Sequence, residues 1–329
     1  MRIIFNLISC GLGDNGGSKT IVNSANTLVE LGHKVFVTDS MKNKHTWTPL
    51  EANHVIIKNV SDIPLADVAI ATGFKTVDST LLLPRYCGGI RAHWIRAWEH
   101  WQMSEEIIYE KVVKASTIKL VNSICLQNKL AKYSVDSHII RPGYDFDQLF
   151  PINIRDNSKI ILGALYREGV HGRRKRTEWI FDSVKKLKTS HNIELWMLGS
   201  ENRPNNSLID KYLQNPPIEI KNNFYNQVHI WLAPTMSEGL HLPPAEAMLT
   251  ECPVVGTNAE LSGMQDYLTH MKTGIVSQNN LKSFTESIDF LITSNLRDEL
   301  GKNARKKILE LGDRKENMIK MIKLFEELS

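Results

Sequence analysis

Two carboxylates, Glu238 and Glu246, stand with seven residues between them in the run EGLHLPPAEAM at 238–248, and a glycine and a Pro-Pro step lie inside that spacing. The apolar run VHIWLA at 228–233 reads as a short strand, which Pro234, Ser237 and Gly239 break. The segment from Pro243 onward reads as a helix, because proline is tolerated in a first turn whose amides have no intrahelical acceptor. Glu238 is therefore expected in a strand-to-helix loop and Glu246 in the first helical turns. Free amides at such a helix start attract phosphate or sugar oxygens, and a carboxylate accepts hydrogen bonds from both hydroxyls of a vicinal diol. A sugar nucleotide presents both groups. The same pair also fits ordinary helix capping, since acidic side chains are common near helix starts.

Other residues carry chemistry of their own. Arg167 is followed by the run Arg173, Arg174, Lys175, Arg176, which reads either as an anion clasp or as a solvated basic loop. The stretch RAHWIRAWEHWQM at 91–103 is dense in tryptophan, arginine and histidine. Its aromatic faces suit sugar rings and nucleobases equally, and they suit a buried interface as well. Near the N-terminus, Gly11, Gly13 and Gly16 form a G-x-G-x-x-G after a strand and before a helix, with Asp39 ending the next strand. That is the pattern of a dinucleotide site in an NAD-dependent oxidoreductase. The same segment, GDNGGSKT, approaches a P-loop, with Ser18 where that motif has its glycine before the lysine.

These residues need a scaffold, and the hydrophobic pattern supplies one. Strand-like runs at 2–9, 34–38, 54–57, 66–71, 90–95 and 117–121 alternate with helical patterns at 18–31, 104–115 and 123–132. A second series follows the Pro- and Asp-containing segment 141–155: strand 159–165, helix 175–188, strands 193–198 and 228–233, helix 243–250, strand 253–256. The alternation predicts an α/β chain of two doubly wound, Rossmann-like domains, 1–150 and 151–329, each a parallel sheet between helices. The tail from Leu281 to Leu328 is helical in period.

Four segments in order resemble the retaining glycosyltransferases of family 4, which have the GT-B fold. EGLHLPPAEAM, followed by CPVVGTNAELSG at 252–263 and HMKTGIVS at 270–277, is similar to their donor-binding core with its E-x7-E pair. GGSKTIVNSANTLVELGHKVFV at 16–37 resembles the first loop, helix and second strand of their N-terminal domain. IIRPGYDFDQLFP at 139–151 resembles the interdomain segment, and LGALYREGVHGRRKRTEWIF at 162–181 the segment whose Arg and Lys clasp the donor diphosphate. The resemblance implies two domains facing a cleft, with the last helix packing back on the N-terminal one.

It also implies roles. Glu238 would contact the transferred sugar and Glu246 the ribose diol, with Gly239, Leu240, His241 and Leu242 lining the donor site. Arg167 and Lys175 would hold the diphosphate, and Arg174 could take the lysine's part, because this chain departs from the family's Lys-Gly step. Fixed cations at that point stabilise the charge gathered on a departing diphosphate. His241 stands where many relatives carry glycine, which alters the sugar pocket. Gly16 and Gly17 would let the backbone approach a donor phosphate or the acceptor from across the cleft. His93 would meet the acceptor or sugar, with Arg96, Trp98 and Glu99 beside it. The implied reaction moves a sugar from a UDP-sugar or GDP-sugar to a hydroxyl of a saccharide or glycolipid, without a metal ion or other cofactor. A DNA glycosyltransferase acting on hydroxymethylated bases is the alternative that the Arg- and Trp-rich stretch from Arg85 to Trp101 suggests.

Composition sets outer bounds. At 329 residues, with 42% hydrophobic and 23% charged residues, the chain is long enough and apolar enough for two cores. A net charge of +4 makes neither half a basic nucleic-acid-binding domain as a whole. Four cysteines without a C-x-x-C pair signal neither zinc nor a disulfide framework, which fits a reduced, cytoplasmic setting. No apolar run nears the roughly 20 residues of a membrane span, so membrane contact is expected to be peripheral at most.

Overall fold

The computed structural model describes residues 1–13, 15–40, 49–83, 89–156 and 158–329. Arg85 and Cys87 lie outside them. The chain forms two compact units, Met1–Gly143 with Asp313–Ser329, and Tyr144–Gly312. The joint sits a few residues before the position expected from sequence, and the C-terminal helix belongs to the first unit.

In the first unit seven parallel strands lie in the order β3-β2-β1-β4-β5-β6-β7. They are β1 (Arg2–Asn6), β2 (Lys34–Asp39), β3 (Asn53–Ile56), β4 (Val68–Ala71), β5 (Ile90–Ile95), β6 (Ile118–Val121) and β7 (His138–Ile139). Alternate side chains of β1 feed the two faces. Ile3 and Phe5 join the core under α1 (Gly16–Glu30), whereas Ile4 packs with Phe36 and Ala69 on the other side. Asn15 caps α1 by accepting from the Ser18 amide at 2.9 Å. Where the period predicted one helix at 104–115, the chain makes a four-residue α-helix, Glu105–Ile108, that widens into a π-turn over Tyr109–Val113.

The second unit repeats the winding, with six parallel strands in the order β10-β9-β8-β11-β13-β15. These are β8 (Ile160–Leu165), β9 (Ile193–Gly199), β10 (Ile209–Gln214), β11 (Ile230–Ala233), β13 (Val254–Thr257) and β15 (Gly274–Ser277). Ile161, Trp196, Trp231 and Val254 face one core, and Leu162, Leu195, Leu232 and Val255 the other. The predicted helix at 175–188 is Thr177–Leu187, and a further helix, Gly169–Lys175, precedes it, the two being separated because Arg176 adopts a left-handed conformation with φ 54°. Among the described residues no helix is long and apolar enough to cross a membrane.

Candidate functional site

In a doubly wound sheet the crevice opens where the strand order reverses, at the carboxyl ends of the strands. In the second unit that point lies between β8 and β11, which pair through Ile230 and Leu162. The chain leaving β8 carries Arg167 and then the helix Gly169–Lys175. The chain leaving β11 carries the two-residue strand β12 (Ser237–Glu238) and then the helix Leu242–Leu249. Most of the second-unit residues predicted for the donor site converge here.

Glu238 is the hub. One carboxylate oxygen lies 2.8 Å from the Lys175 ammonium and 3.2 Å from the Arg174 guanidinium. The three side chains are only 12% to 15% exposed. Burial by itself would raise the Glu238 pKa, but Lys175 and then Arg174 outweigh it and hold the carboxyl down at about 2. Burial also pushes the Lys175 ammonium below its ordinary value, and Glu238 is the group that counters this. The backbone fixes the pair. The Met236 amide donates to the Arg174 carbonyl at 2.9 Å, and Ser237 and Glu238 pair in parallel with β14 (Leu261–Ser262). The basic run, which reads from sequence either as an anion clasp or as a solvated loop, ends a helix and delivers its two inner cations onto one carboxylate. Arg173 is exposed, and Arg176 turns away to bond Asn279 and cover the Trp179 ring at 4.0 Å.

Arg167 is held separately. Its Nε lies 2.8 Å from Glu201, and its Nη1 donates to Ser200 at 3.1 Å. A side chain on Gly172 would meet the Arg167 carbonyl at 2.4 Å, so only glycine lets the helix close on that loop.

Glu246 lies one turn into the helix Leu242–Leu249, with Pro243 and Pro244 in its first turn. It pairs with Lys221, and the Tyr225 hydroxyl donates to its Oε2 at 2.8 Å. Both partners come from the helix Ile218–Gln227, which the sequence reading missed together with β10 and β15. Lys221, Tyr225 and Glu201 carry no sequence signal tying them to the glutamates. The loop between the two glutamates is clamped. A side chain on Gly263 would strike the Gly239 carbonyl at 2.0 Å and the Leu240 Cα at 2.5 Å. The Tyr267 hydroxyl lies 2.7 Å from the His241 carbonyl. His241 caps the helix with φ 62°.

The first unit treats its predicted residues differently. Gly16 and Gly17 open α1 as expected, but Arg96 donates to the Gly17 carbonyl and, at 2.5 Å, to the Thr72 carbonyl. Its guanidinium therefore bridges the chain segments after β1 and β4, the switch point of this sheet. Asp39, the acid that a dinucleotide site would offer to ribose, is 1% exposed. Both observations count against the oxidoreductase reading. Glu99 accepts from the Phe74 amide at 3.2 Å.

Two acceptor-side expectations need correction. Trp98 is 2% exposed, stacks on Tyr133 at 6.1 Å and donates to Glu105 at 3.0 Å, so its faces serve packing. Trp94 is wholly buried and donates to the Ile140 carbonyl at 2.9 Å. With both rings inside, the stacking surface that favoured DNA loses its two central members. His93 is also 2% exposed, and burial, with Lys119 and Arg96 nearby, depresses its pKa to about 3. A depressed histidine pKa means that the unfolded chain binds the proton first, so stability falls as pH drops below about 6.5. Between pH 7 and pH 5 this one group should cost about 2 kcal/mol. In His93→Asn, the urea-derived stability should vary less over that interval by about that amount. Equal pH dependence in parent and variant would contradict a buried neutral His93.

Residues 160–294 match the family model described as glycosyl transferases group 1. The fold is GT-B, and the second unit carries a group 1 glycosyl transferase domain. The chain is 29% identical over 174 residues to the capsular polysaccharide biosynthesis glycosyltransferase CapM of Staphylococcus aureus, a match covering 46% of this chain and 45% of that protein. It thus spans about half the length of this curated relative. Among solved structures, sucrose-phosphate synthase from Thermosynechococcus elongatus superposes with a TM-score of 0.80 at 14% identity, over 99% of this chain and 98% of that one. HepE of Anabaena, solved in complex with UDP-glucose, gives 0.80 at 12% identity, over 99% and 100%.

Proposed function

We propose that this chain is a retaining glycosyltransferase that moves a sugar from a UDP-sugar, or a GDP-sugar, to a hydroxyl of a saccharide or glycolipid. The observation that carries the reading is the gathering of Arg174 and Lys175 on Glu238 at the switch point of the second sheet, with Arg167 near enough for its charge to act on Lys175. The UDP-glucose complex of HepE favours UDP over GDP, and the name of CapM favours a polysaccharide acceptor. A glycolipid acceptor would bring the protein to a membrane surface.

In this reading Glu246 accepts hydrogen bonds from the ribose hydroxyls while the diphosphate displaces Glu238 from part of its contact with Arg174 and Lys175. As the bond from the anomeric carbon to the phosphate oxygen breaks, negative charge grows on that oxygen, and the three cations stabilise it. Those cations supply what a divalent ion would, so the reaction proceeds without metal. The acceptor oxygen forms its bond on the face the phosphate leaves, and the leaving phosphate takes the acceptor's proton. Glu238 binds a sugar hydroxyl and is not a covalent nucleophile. Glu99 is the acceptor-side candidate in the first unit, near enough for its charge to act on Arg96.

The test is calorimetric titration of UDP and GDP in excess EDTA. Lys175→Ala and Glu246→Ala should each weaken binding by about 1.5 to 3 kcal/mol, the range for charge-assisted hydrogen bonds. Unchanged affinity in both folded variants, or binding abolished by the chelator, would sink the assignment.

A further inference from the structure

His241 opens the donor-loop helix without its side chain making a capping hydrogen bond. Its backbone is left-handed, φ 62° and ψ 71°, a conformation that glycine adopts without strain. The surroundings enforce it. Tyr267 is bonded to the His241 carbonyl, and the Gly239–Leu240 backbone rests on Gly263 too closely to shift. A glycine would satisfy every one of these contacts, so the strain is retained together with the imidazole.

The residue is 5% exposed, and its ring Nδ1 is buried with no hydrogen-bond partner. An unpaired buried nitrogen carries a desolvation cost that a ligand group could relieve. What surrounds it is the candidate site. Lys175, Glu238 and Arg174 are close enough for their charges to act on the ring, and burial keeps it well below its ordinary pKa. A neutral imidazole offers one donor and one acceptor, the complement of a hydroxyl group. A carboxylate would use only the donor and would face Glu238 besides. The observations therefore select a hydroxyl of an uncharged sugar over a uronate.

We infer that His241 is the specificity-determining residue for the transferred sugar, its ring hydrogen-bonding a sugar hydroxyl adjacent to the one held by Glu238. This rests on the glycosyltransferase reading of the site. An imidazole that only filled space would leave the choice among sugars unaffected by its removal.

Donor hydrolysis and UDP affinity should be measured with UDP-glucose, UDP-galactose and UDP-N-acetylglucosamine for the parent, His241→Gly and His241→Asn. Both variants tolerate the left-handed backbone, so melting temperatures should hold or rise. UDP affinity should stay within about twofold, because neither substitution alters Lys175, Arg174 or Glu246, the side chains proposed to hold the nucleotide. The ratio of kcat/KM between the best and the worst sugar should fall about tenfold or more in His241→Gly, with partial recovery in His241→Asn, whose amide keeps a donor and an acceptor. An unchanged ratio with intact UDP binding would overturn this inference and leave the glycosyltransferase reading standing. Failure of the parent to bind UDP or GDP would overturn both.

Discussion

Glu238→Gln should lower turnover by about 100-fold or more while leaving nucleoside diphosphate affinity at neutral pH intact or improved. Glu238 occupies Lys175 and Arg174 in the free protein, so it competes with the incoming diphosphate for the same cations. Converting it to the amide removes that competitor but also removes the hydrogen-bond acceptor proposed for the transferred sugar. The two losses act on different steps. The variant should also acquire a new pH dependence. Burial pushes the Lys175 pKa down and Glu238 pushes it back up, so the amide lets it fall further. A lysine with a lowered pKa loses its proton, and its hold on phosphate, as pH rises through that value. UDP affinity in Glu238→Gln should therefore begin to decline at a lower pH than in the parent as pH rises from neutrality toward the ordinary lysine value. Calorimetry across that range, with turnover on the same samples, checks both parts. Turnover within tenfold of the parent would remove Glu238 from the chemistry, and a flat affinity profile would refute the coupling to Lys175.

The residues of this hub were legible in the sequence because each belongs to a segment with strong local pattern. Pro243 and Pro244 mark a helix start, and VHIWLA can only be a buried strand, so the positions of Glu238 and Glu246 follow from rules of local structure. Arg174 was left outside any predicted element and Lys175 was read as the start of the helix 175–188, because the left-handed turn at Arg176 leaves no trace in composition. The helix Ile218–Gln227 was missed for a clearer reason. Three asparagines and two isoleucines in ten residues are poor helix formers, and what makes it helical is tertiary. Asn222 and Asn226 are buried and bond the backbone at Phe150 and Ile152, anchoring the start of the second unit. Lys221 and Tyr225, the partners of Glu246, were lost with it. In the first unit the richness of residues 91–103 in tryptophan was visible, but whether a ring packs or stacks on a ligand depends on neighbours such as Tyr133 and Glu105 that only the fold brings near.

Phe325→Ala should destabilise the first unit by about 3 to 5 kcal/mol, the usual cost of emptying a buried aromatic site. The helix Arg314–Glu327 starts with a reciprocal cap, Asp313 accepting from the Glu316 amide at 2.7 Å and Glu316 from the Asp313 amide at 3.0 Å. Its buried stripe of Met318, Met321 and Phe325, each 0% exposed, completes the core formed by Ile21, Ala25 and Leu28 of α1 with Ile3, Phe5 and Val35 of the sheet. A segment more than 160 residues away in sequence from the rest of its unit thus fills the space over α1. The attachment is tight at the point of return. Gly143 has φ 71°, and a side chain there would lie 2.3 Å from the Arg314 Cα, while Arg314 donates to the Pro142 carbonyl at 3.1 Å. Typical domain stabilities are about 5 to 15 kcal/mol, so the loss at Phe325 takes a large share of what holds the first unit together. Leu328→Ala is the matched control, since Leu328 is 45% exposed and its truncation should cost little. Urea unfolding of the three proteins, with added UDP to stabilise the second unit selectively, would show one early transition in Phe325→Ala alone. A Phe325→Ala protein within 1 kcal/mol of the parent would mean that the C-terminal helix is not part of the first unit's core.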